Sequence, residues 1–181
     1  GGVASFSPTE CDTWTAFAFY NDYYDKTVVI EEQDRVLRRG DTTLLGVDWK
    51  RTWSDSLSTE VYYAYVDIED HDEAVLPGGQ PPASNMMIDD NAKLQLASII
   101  VSATINEQIN GSVEYAKQWG VATQAELELE GEMIDARLNY KFGEDVALNP
   151  VLSFQYTYFS GDDSTSADDY EGWHPVLAEY P

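Results

Sequence analysis

The sequence contains few basic residues, with 10 lysines and arginines against 33 aspartates and glutamates among 181 residues. The net charge of −23 argues against nucleic-acid binding, because a phosphate polyanion is recognised through a basic stripe that this chain lacks. Histidine is scarce as well, with two residues, and the chain has no nucleophile elbow, phosphate-binding loop, dinucleotide-binding fingerprint or HExxH motif. The sequence therefore does not predict an enzyme.

Cysteine and long hydrophobic runs are also missing. The single cysteine, Cys11, excludes an internal disulfide and a CxxC metal or redox pair. No run approaches the ~18 consecutive apolar residues of a spanning helix. Aromatic residues are abundant instead, with 12 tyrosines and 5 tryptophans, and they must lie in a core or in lipid. A membrane β-barrel fits this composition, because its strands alternate apolar and polar residues.

Alternation with a period of two predicts an all-β fold. The clearest case is the run from Ile134 to Phe142, in which every second residue is apolar and the residues between are polar. Strict alternation of this length is typical of a strand with one apolar and one polar face. The same patterning predicts seven strands, over residues 13–20, 42–53, 57–69, 92–106, 113–119, 132–142 and 151–158.

Two segments near these strands need a separate interpretation. Asn110-Gly111 is predicted to form a tight turn before the fifth strand. The run Ala125 to Gly131 alternates leucine with glutamate, so it either extends the strand that follows or forms a ribbon of its own. A short helix is a third interpretation of this run.

The connections between the predicted strands differ in length in a regular order. Residues 21–41, 70–91 and 161 onward form long connections, and residues 54–56, 107–110 and 143–149 form short ones, with an intermediate connection over 120–124. Long and short connections alternate, so the long ones share one end of the sheet, and they hold about half of the acidic residues. This asymmetry is typical of an antiparallel up-and-down transmembrane β-barrel in the outer membrane of a Gram-negative bacterium.

The number of predicted strands bears on whether the barrel is complete. A bacterial outer-membrane barrel has an even number of strands, and an open sheet in lipid would leave backbone groups unpaired. The chain also stops at Tyr180-Pro181, inside what resembles a loop. Residues 1–181 are therefore expected to form a single β-barrel domain that is a segment of a larger barrel.

From Glu132 onward the chain resembles the alginate-export family of outer-membrane β-barrels and its porin-like relatives. The resemblance is carried by two strands, by the loop entry that follows them and by a later Pro-containing segment. These are Ala136-Arg137-Leu138-Asn139-Tyr140-Lys141-Phe142, Val151-Leu152-Ser153-Phe154-Gln155-Tyr156-Thr157-Tyr158, Tyr158-Phe159-Ser160-Gly161-Asp162 and Trp173-His174-Pro175-Val176-Leu177. The resemblance implies a passive conduit, a porin or export channel, through an outer membrane.

The polar faces of the predicted strands supply the candidate solute-facing residues. The family's alginate exporters have a pore lined with arginine and lysine, whereas here acidic and basic residues alternate. We therefore expect a small polar or charged solute, such as a saccharide, rather than alginate. These charges also neutralise one another in a polar barrel, which is the structural interpretation of the same pattern. The candidate lumen residues are Asp48, Lys50, Lys93, Asp135, Arg137, Asn139, Lys141 and Gln155.

Acidic residues cluster in the last long connection. Asp162, Asp163, Asp168 and Asp169 resemble a group that binds Ca²⁺ through carboxylate oxygens, although their spacing is not that of an EF-hand. A solvated acidic loop is the simpler interpretation, and no other cofactor is expected. The predicted partners are outer-membrane lipid and the solute.

Two alternatives to the conduit stay open at the level of sequence. In one, the barrel has a structural or interaction role and docks an envelope protein through its long acidic connections. In the other, the chain is a soluble all-β binding module whose aromatic residues fill a dry core.

Overall fold

The computed structural model of the chain describes residues 1–21, 29–30, 35–36, 41–69, 92–122, 127–143, 146, 148–162 and 169–173. Strands make up nearly all of this part of the chain, and none of its residues lies in a helix. The strands are β1 (Gly2–Phe6), β2 (Asp12–Asn21), β3 (Val29–Ile30), β4 (Arg35–Val36), β5 (Asp41–Ser54), β6 (Leu57–Glu69), β7 (Ala92–Thr104), β8 (Ile109–Ala122), β9 (Leu127–Lys141), β10 (Val151–Phe159) and β11 (Asp169–Tyr170). A search of the same residues finds no helix suited to crossing a membrane.

Eight of these strands form one antiparallel up-and-down sheet in the order β1-β2-β5-β6-β7-β8-β9-β10. β11 joins the same sheet by pairing with β9 in parallel, and β3 pairs with β4 in a separate hairpin. β1 and β10 are the two ends of the path, and no described residue of one pairs with the other. The fold is therefore all-β and antiparallel, with a sheet that is not closed.

The prediction of seven strands was wrong because it missed the first strand of the path and the two-residue strands β3, β4 and β11. Gly2–Phe6 forms β1, which pairs with β2 so that Gly2 lies opposite Ala18 and Phe6 opposite Trp14. This segment has five residues and no regular alternation of apolar and polar side chains, so the period-two pattern gave no signal. Pairing with a long neighbour holds it in the sheet.

The turn before β8 also differs from its prediction. Asn110 and Gly111 lie inside β8, opposite Thr104 and Ala103 of β7. The chain turns earlier, at Asn106, whose side-chain oxygen accepts hydrogen bonds from the backbone N–H groups of Gln108 and Ile109, both at 2.9 Å. An Asn side chain that takes the place of a backbone acceptor is a common way to build a tight turn.

The leucine and glutamate run before residue 132 extends the following strand. β9 runs without interruption from Leu127 to Lys141, which agrees with the first of the three interpretations of this run. The phase of its alternation changes on the way, however. Leu129 shares a face with Asp135 and Arg137, whereas Glu130 shares the opposite face with Leu138, because side chains two residues apart point to the same side.

The sheet is strongly curled. Lys50 on β5 and Arg137 on β9 line the same cavity, although three strands lie between them. In a flat sheet, four strand spacings would separate them by about 19 Å. We call the sheltered concave side the inner face and the opposite side the outer face.

Apolar side chains pack on the inner face near the end of the sheet that carries the long connections. We call this group the inner apolar cluster. Leu94 is 1% exposed and Leu129 is 3% exposed, and alanines of β6, β7 and β8 fill the space between the larger side chains. The cluster consists of Ala64, Val66, Ala92, Leu94, Leu96, Ala116, Ala122 and Leu129.

Candidate functional site

The outer face carries a continuous band of exposed apolar side chains that starts near the short connections and covers about two thirds of β6. The band is built in register, for example from Val101, Val113 and Ala136, which lie side by side on β7, β8 and β9. Leu138 is 48% exposed and Phe154 is 63% exposed. Further exposed members are Trp14, Leu45, Val47, Leu57, Tyr63, Ile99, Tyr115, Ile134, Leu152, Tyr156 and Tyr158.

The height of this band follows from the spacing of residues along a strand. On β6 the outer face is largely apolar or aromatic from Leu57 to Tyr65. Eight residue steps of about 3.3 Å span roughly 26 Å, or about 20 Å if the strand is tilted as barrel strands are. The apolar band of outer-membrane barrels is about 25 Å tall.

Polar side chains occupy the inner face behind the apolar band, and we call them the inner polar belt. They surround an open cavity of about 400 Å³ next to the short connections. Its lining is rich in hydroxyl and amide groups, with two cationic side chains, Lys50 and Arg137. Inner-face members of this lining include Thr52, Ser58, Ser102, Thr104, Asn110, Ser112 and Asn139.

Asp135 is the best-connected charge of the inner polar belt. Its carboxylate accepts hydrogen bonds from Arg137 Nε at 2.7 Å, Gln155 Nε2 at 2.6 Å and Thr157 Oγ1 at 2.7 Å. Strand register explains the contacts, because Thr157 lies opposite Asp135 and Gln155 lies opposite Arg137 on the neighbouring strand. The Asp135 side chain is 10% exposed and that of Arg137 is 60% exposed, so the guanidinium extends from a buried anchor toward the cavity.

Two further acidic groups lie in the same belt. Glu60 pairs with Lys50 at 3.4 Å. Glu114 accepts hydrogen bonds from Ser98 Oγ at 2.8 Å and from Tyr62 Oη at 3.0 Å, and it has no cationic partner within the described residues. The belt thus combines neutralised ion pairs with a carboxylate that is held by hydroxyl groups.

The structure brings most of the predicted lumen residues to the inner face. Lys50, Arg137 and Asn139 line the cavity, and Gln155 bonds to Asp135. Asp48 lies opposite Tyr62, with its Oδ2 buried and without a hydrogen-bond partner among the described residues. Lys141 belongs to the same face of β9 and is exposed.

Lys93 does not lie on this face, which corrects its assignment to the lumen. It alternates with the buried Ala92 and Leu94, and it pairs with Asp67 and Val121 on the outer face. The reason is a reversal of polarity along the strands: near the long connections most polar residues face outward and most apolar ones inward, with the buried Gln118 as an inward-facing exception. The adjacent apolar residues Met133-Ile134 mark this reversal on β9, and they are its signal in the sequence.

Sequence patterning also left out Glu60, Tyr62, Ser98 and Glu114 as members of the site. The alternation of Val113, Glu114 and Tyr115 places Glu114 on the polar face of its strand. This pattern does not show which side chains of other strands form hydrogen bonds with Glu114. The hydrogen bond from Tyr62 crosses from β6 to β8, and β7 lies between them. This contact depends on the register of three strands, which no single strand pattern reveals.

A second cluster lies near the short connections, on the outer side of β2 and β5. Asp12 accepts hydrogen bonds from Thr9 Oγ1 at 2.7 Å and from Trp49 Nε1 and Arg51 Nη1, both at 3.2 Å. The Arg51 guanidinium also lies 4.5 Å from the ring centre of Trp53. The aspartate and the tryptophan ring thus hold the Arg51 guanidinium from two sides.

The predicted Ca²⁺ site is described only in part. Asp163 and Asp168 lie outside the described residues. Asp162 accepts a 3.4 Å hydrogen bond from the backbone N–H of Glu171, and Asp169 lies in β11. The part of the chain that the structure covers contains no group of three metal-ligating side chains.

Comparison of the chain with protein-family models, curated proteins and solved structures finds no match. The resemblance to the alginate-export family therefore stays a prediction that depends on the residues quoted above. The fold and the two faces of the sheet are the basis for a functional proposal.

Proposed function

We propose that the chain is part of an outer-membrane β-barrel that conducts a small polar solute by passive diffusion along the inner polar belt. One observation carries this proposal: the outer face has an exposed apolar band, and the inner face directly behind it is polar and rich in hydroxyl groups. Proteins in water rarely expose apolar patches of this extent. A lipid surface accounts for the band, and a water-filled path accounts for the belt.

The two edges of the sheet support a membrane barrel larger than the described sheet. Every residue of β10 is exposed, and along most of its length its free edge pairs with no other strand among the described residues. β1 is likewise exposed throughout. Unpaired backbone groups are costly in lipid, so both edges would need strand partners there. We propose that further strands supply them.

The chemistry of the cavity favours a polar solute that carries hydroxyl groups or small charges. Serine, threonine and asparagine side chains exchange hydrogen bonds with such a solute as readily as with water. The ion pairs Lys50–Glu60 and Arg137–Asp135 leave little uncompensated charge at these positions. The sign of charge that remains uncompensated sets the selectivity of a pore.

Reconstitution into planar lipid bilayers tests this proposal. The purified full-length protein in detergent should insert and produce discrete conductance steps in potassium chloride. A heat-denatured sample serves as the control. Absence of channels, together with a monodisperse monomer in water without detergent, would reject the conduit and favour a soluble binding module.

A further inference from the structure

We propose that residues Asp169–Trp173, which we call the return segment, form the constriction of this conduit, and that the Trp173 side chain sets the size of solute that passes. This inference depends on the proposed function and deepens it. The return segment limits passage at the end of the sheet that carries the long connections.

The return segment lies beside β9 where β10 has ended. β10 pairs with β9 only as far as Met133, opposite Phe159. Beyond that point β11 takes the vacant edge and runs parallel to β9, with Tyr170 opposite Leu129. The chain therefore runs back along β9 toward the interior of the curled sheet.

Backbone hydrogen bonds hold the segment in this position. The N–H of Trp173 donates to the carbonyl of Ser160 at 3.0 Å. Ser160 is itself fixed to β9, because its N–H donates to the carbonyl of Glu132 at 2.9 Å and its Oγ accepts from the Glu132 N–H at 2.8 Å. The ring of Trp173 also stacks on that of Phe159, with 6.2 Å between centroids.

The return segment approaches β9 closely at a glycine. Gly131 is on the inner face of β9, between Leu129 and Met133. A Cβ atom at Gly131 would lie 3.0 Å from Trp173 Cα and 3.1 Å from the carbonyl oxygen of Gly172. These distances are at the lower limit of normal contact, so the segment lies directly against the backbone of β9.

The Trp173 side chain occupies the interior of the sheet. It packs against Ala64, Leu96 and Ala116 of the inner apolar cluster, and Phe17 of β2 packs against the same group. The two alanines are almost completely buried, with exposures of 1% and 0%. Side chains from β2 and from the return segment thus pack against the same buried cluster.

The solute path therefore has two unlike halves. The cavity and the polar belt lie near the short connections, whereas the inner apolar cluster and Trp173 fill the other half. An apolar constriction in a water-filled path restricts flow by excluding water as well as by its width. Trp173 is the member of this constriction that comes from outside the antiparallel strands.

Trp173→Ala tests the inference in planar bilayers. We expect single-channel conductance to rise roughly twofold or more, because an apolar constriction limits flow through its width and its wetting. Polyethylene glycols of graded size should enter and reduce conductance at a larger polymer size than in the wild type. Trp119→Ala is the matched control, because Trp119 lies on the outer face, where its tilted ring packs beside that of Tyr63 with 6.3 Å between the centroids.

Gly131→Ala is the second variant, and it leaves Trp173 in place while it crowds the return segment. It should shift conductance and polymer exclusion in the direction opposite to Trp173→Ala, because the added methyl group pushes the return segment away from β9 and into the path. Gly161→Ala is its control, since a Cβ there meets no atom within 4 Å. The inference would be overturned if both test variants had the same conductance and the same exclusion size as the wild type. Absence of channels from the wild type would instead reject the proposed function.

Discussion

The hydrogen-bond network of Asp135 leads to a prediction about stability. Replacing Asp135 by alanine removes the acceptor of three hydrogen bonds, donated by Arg137, Gln155 and Thr157 at 2.6–2.7 Å. Hydrogen bonds to a charged group contribute about 1.5–3 kcal/mol each. The contribution of Arg137 is nearer the lower end, because its side chain is 60% exposed and water competes for it.

The expected cost is smaller than the sum of these bonds. Removing Asp135 also removes the penalty for burying a carboxylate, and Gln155 is exposed and recovers hydrogen bonds to water. We therefore expect Asp135→Ala to lower the free energy of unfolding by about 2–4 kcal/mol. Asp135→Asn keeps the shape and one oxygen acceptor but loses the charge, so it should cost about half as much.

Urea unfolding of the protein from lipid vesicles, followed by tryptophan fluorescence, measures this effect. Asp55→Ala is the matched control, because Asp55 is an exposed acidic residue in the turn between β5 and β6. The control should change the midpoint little. A midpoint for Asp135→Ala equal to that of the wild type would refute the role given to this network.

Three other substitutions test separate features of the sheet. Val113→Arg should lower the free energy of unfolding in lipid vesicles by about 1–3 kcal/mol, because Val113 lies between the middle and the edge of the apolar band. Its neighbour Ser112 lies on the inner face, so Ser112→Arg should fold with a smaller loss, and equal losses in urea unfolding would contradict the assignment of faces. Gly120→Ala should prevent stable folding, because its Cβ would collide with the carbonyl oxygen of Lys93, whereas Gly2→Ala should be neutral in the same measurement. Glu114→Gln removes the charge of a carboxylate that Tyr62 and Ser98 hold on the inner face. It should lower the permeability ratio of potassium to chloride, measured as a reversal potential in a salt gradient, and an unchanged potential would count against a role of Glu114 in selectivity.

Much of the fold could be predicted from the sequence because long antiparallel strands have a local signature. The predicted strands at 57–69 and 151–158 correspond to β6 and to all but the last residue of β10. β1 and β11 have no such signature, because strands of five and two residues are held by their neighbours rather than by their own pattern. The turn at Asn106 was missed because Asn110-Gly111 resembles a hairpin turn equally well.

The candidate site shows the same division. Alternation indicated that Asp135, Arg137 and Asn139 share a face, and the sheet places them there. It could not show that Gln155 and Thr157 bond to Asp135, because that contact depends on the register of two strands. It assigned Lys93 to the wrong face, because one periodic pattern does not reveal that the inner side changes from polar to apolar along the strand.

The sequence by itself determined the all-β class, the positions of most long strands and the scarcity of basic residues, since each of these depends on composition or on neighbours one or two residues apart. The tertiary structure alone decided which side of each strand is concave and which acids have partners. It also placed Trp173 on alanines that are more than 50 residues away in the chain. These features depend on the curl of the whole sheet, which sums small twists over many strands and has no signature in any single one.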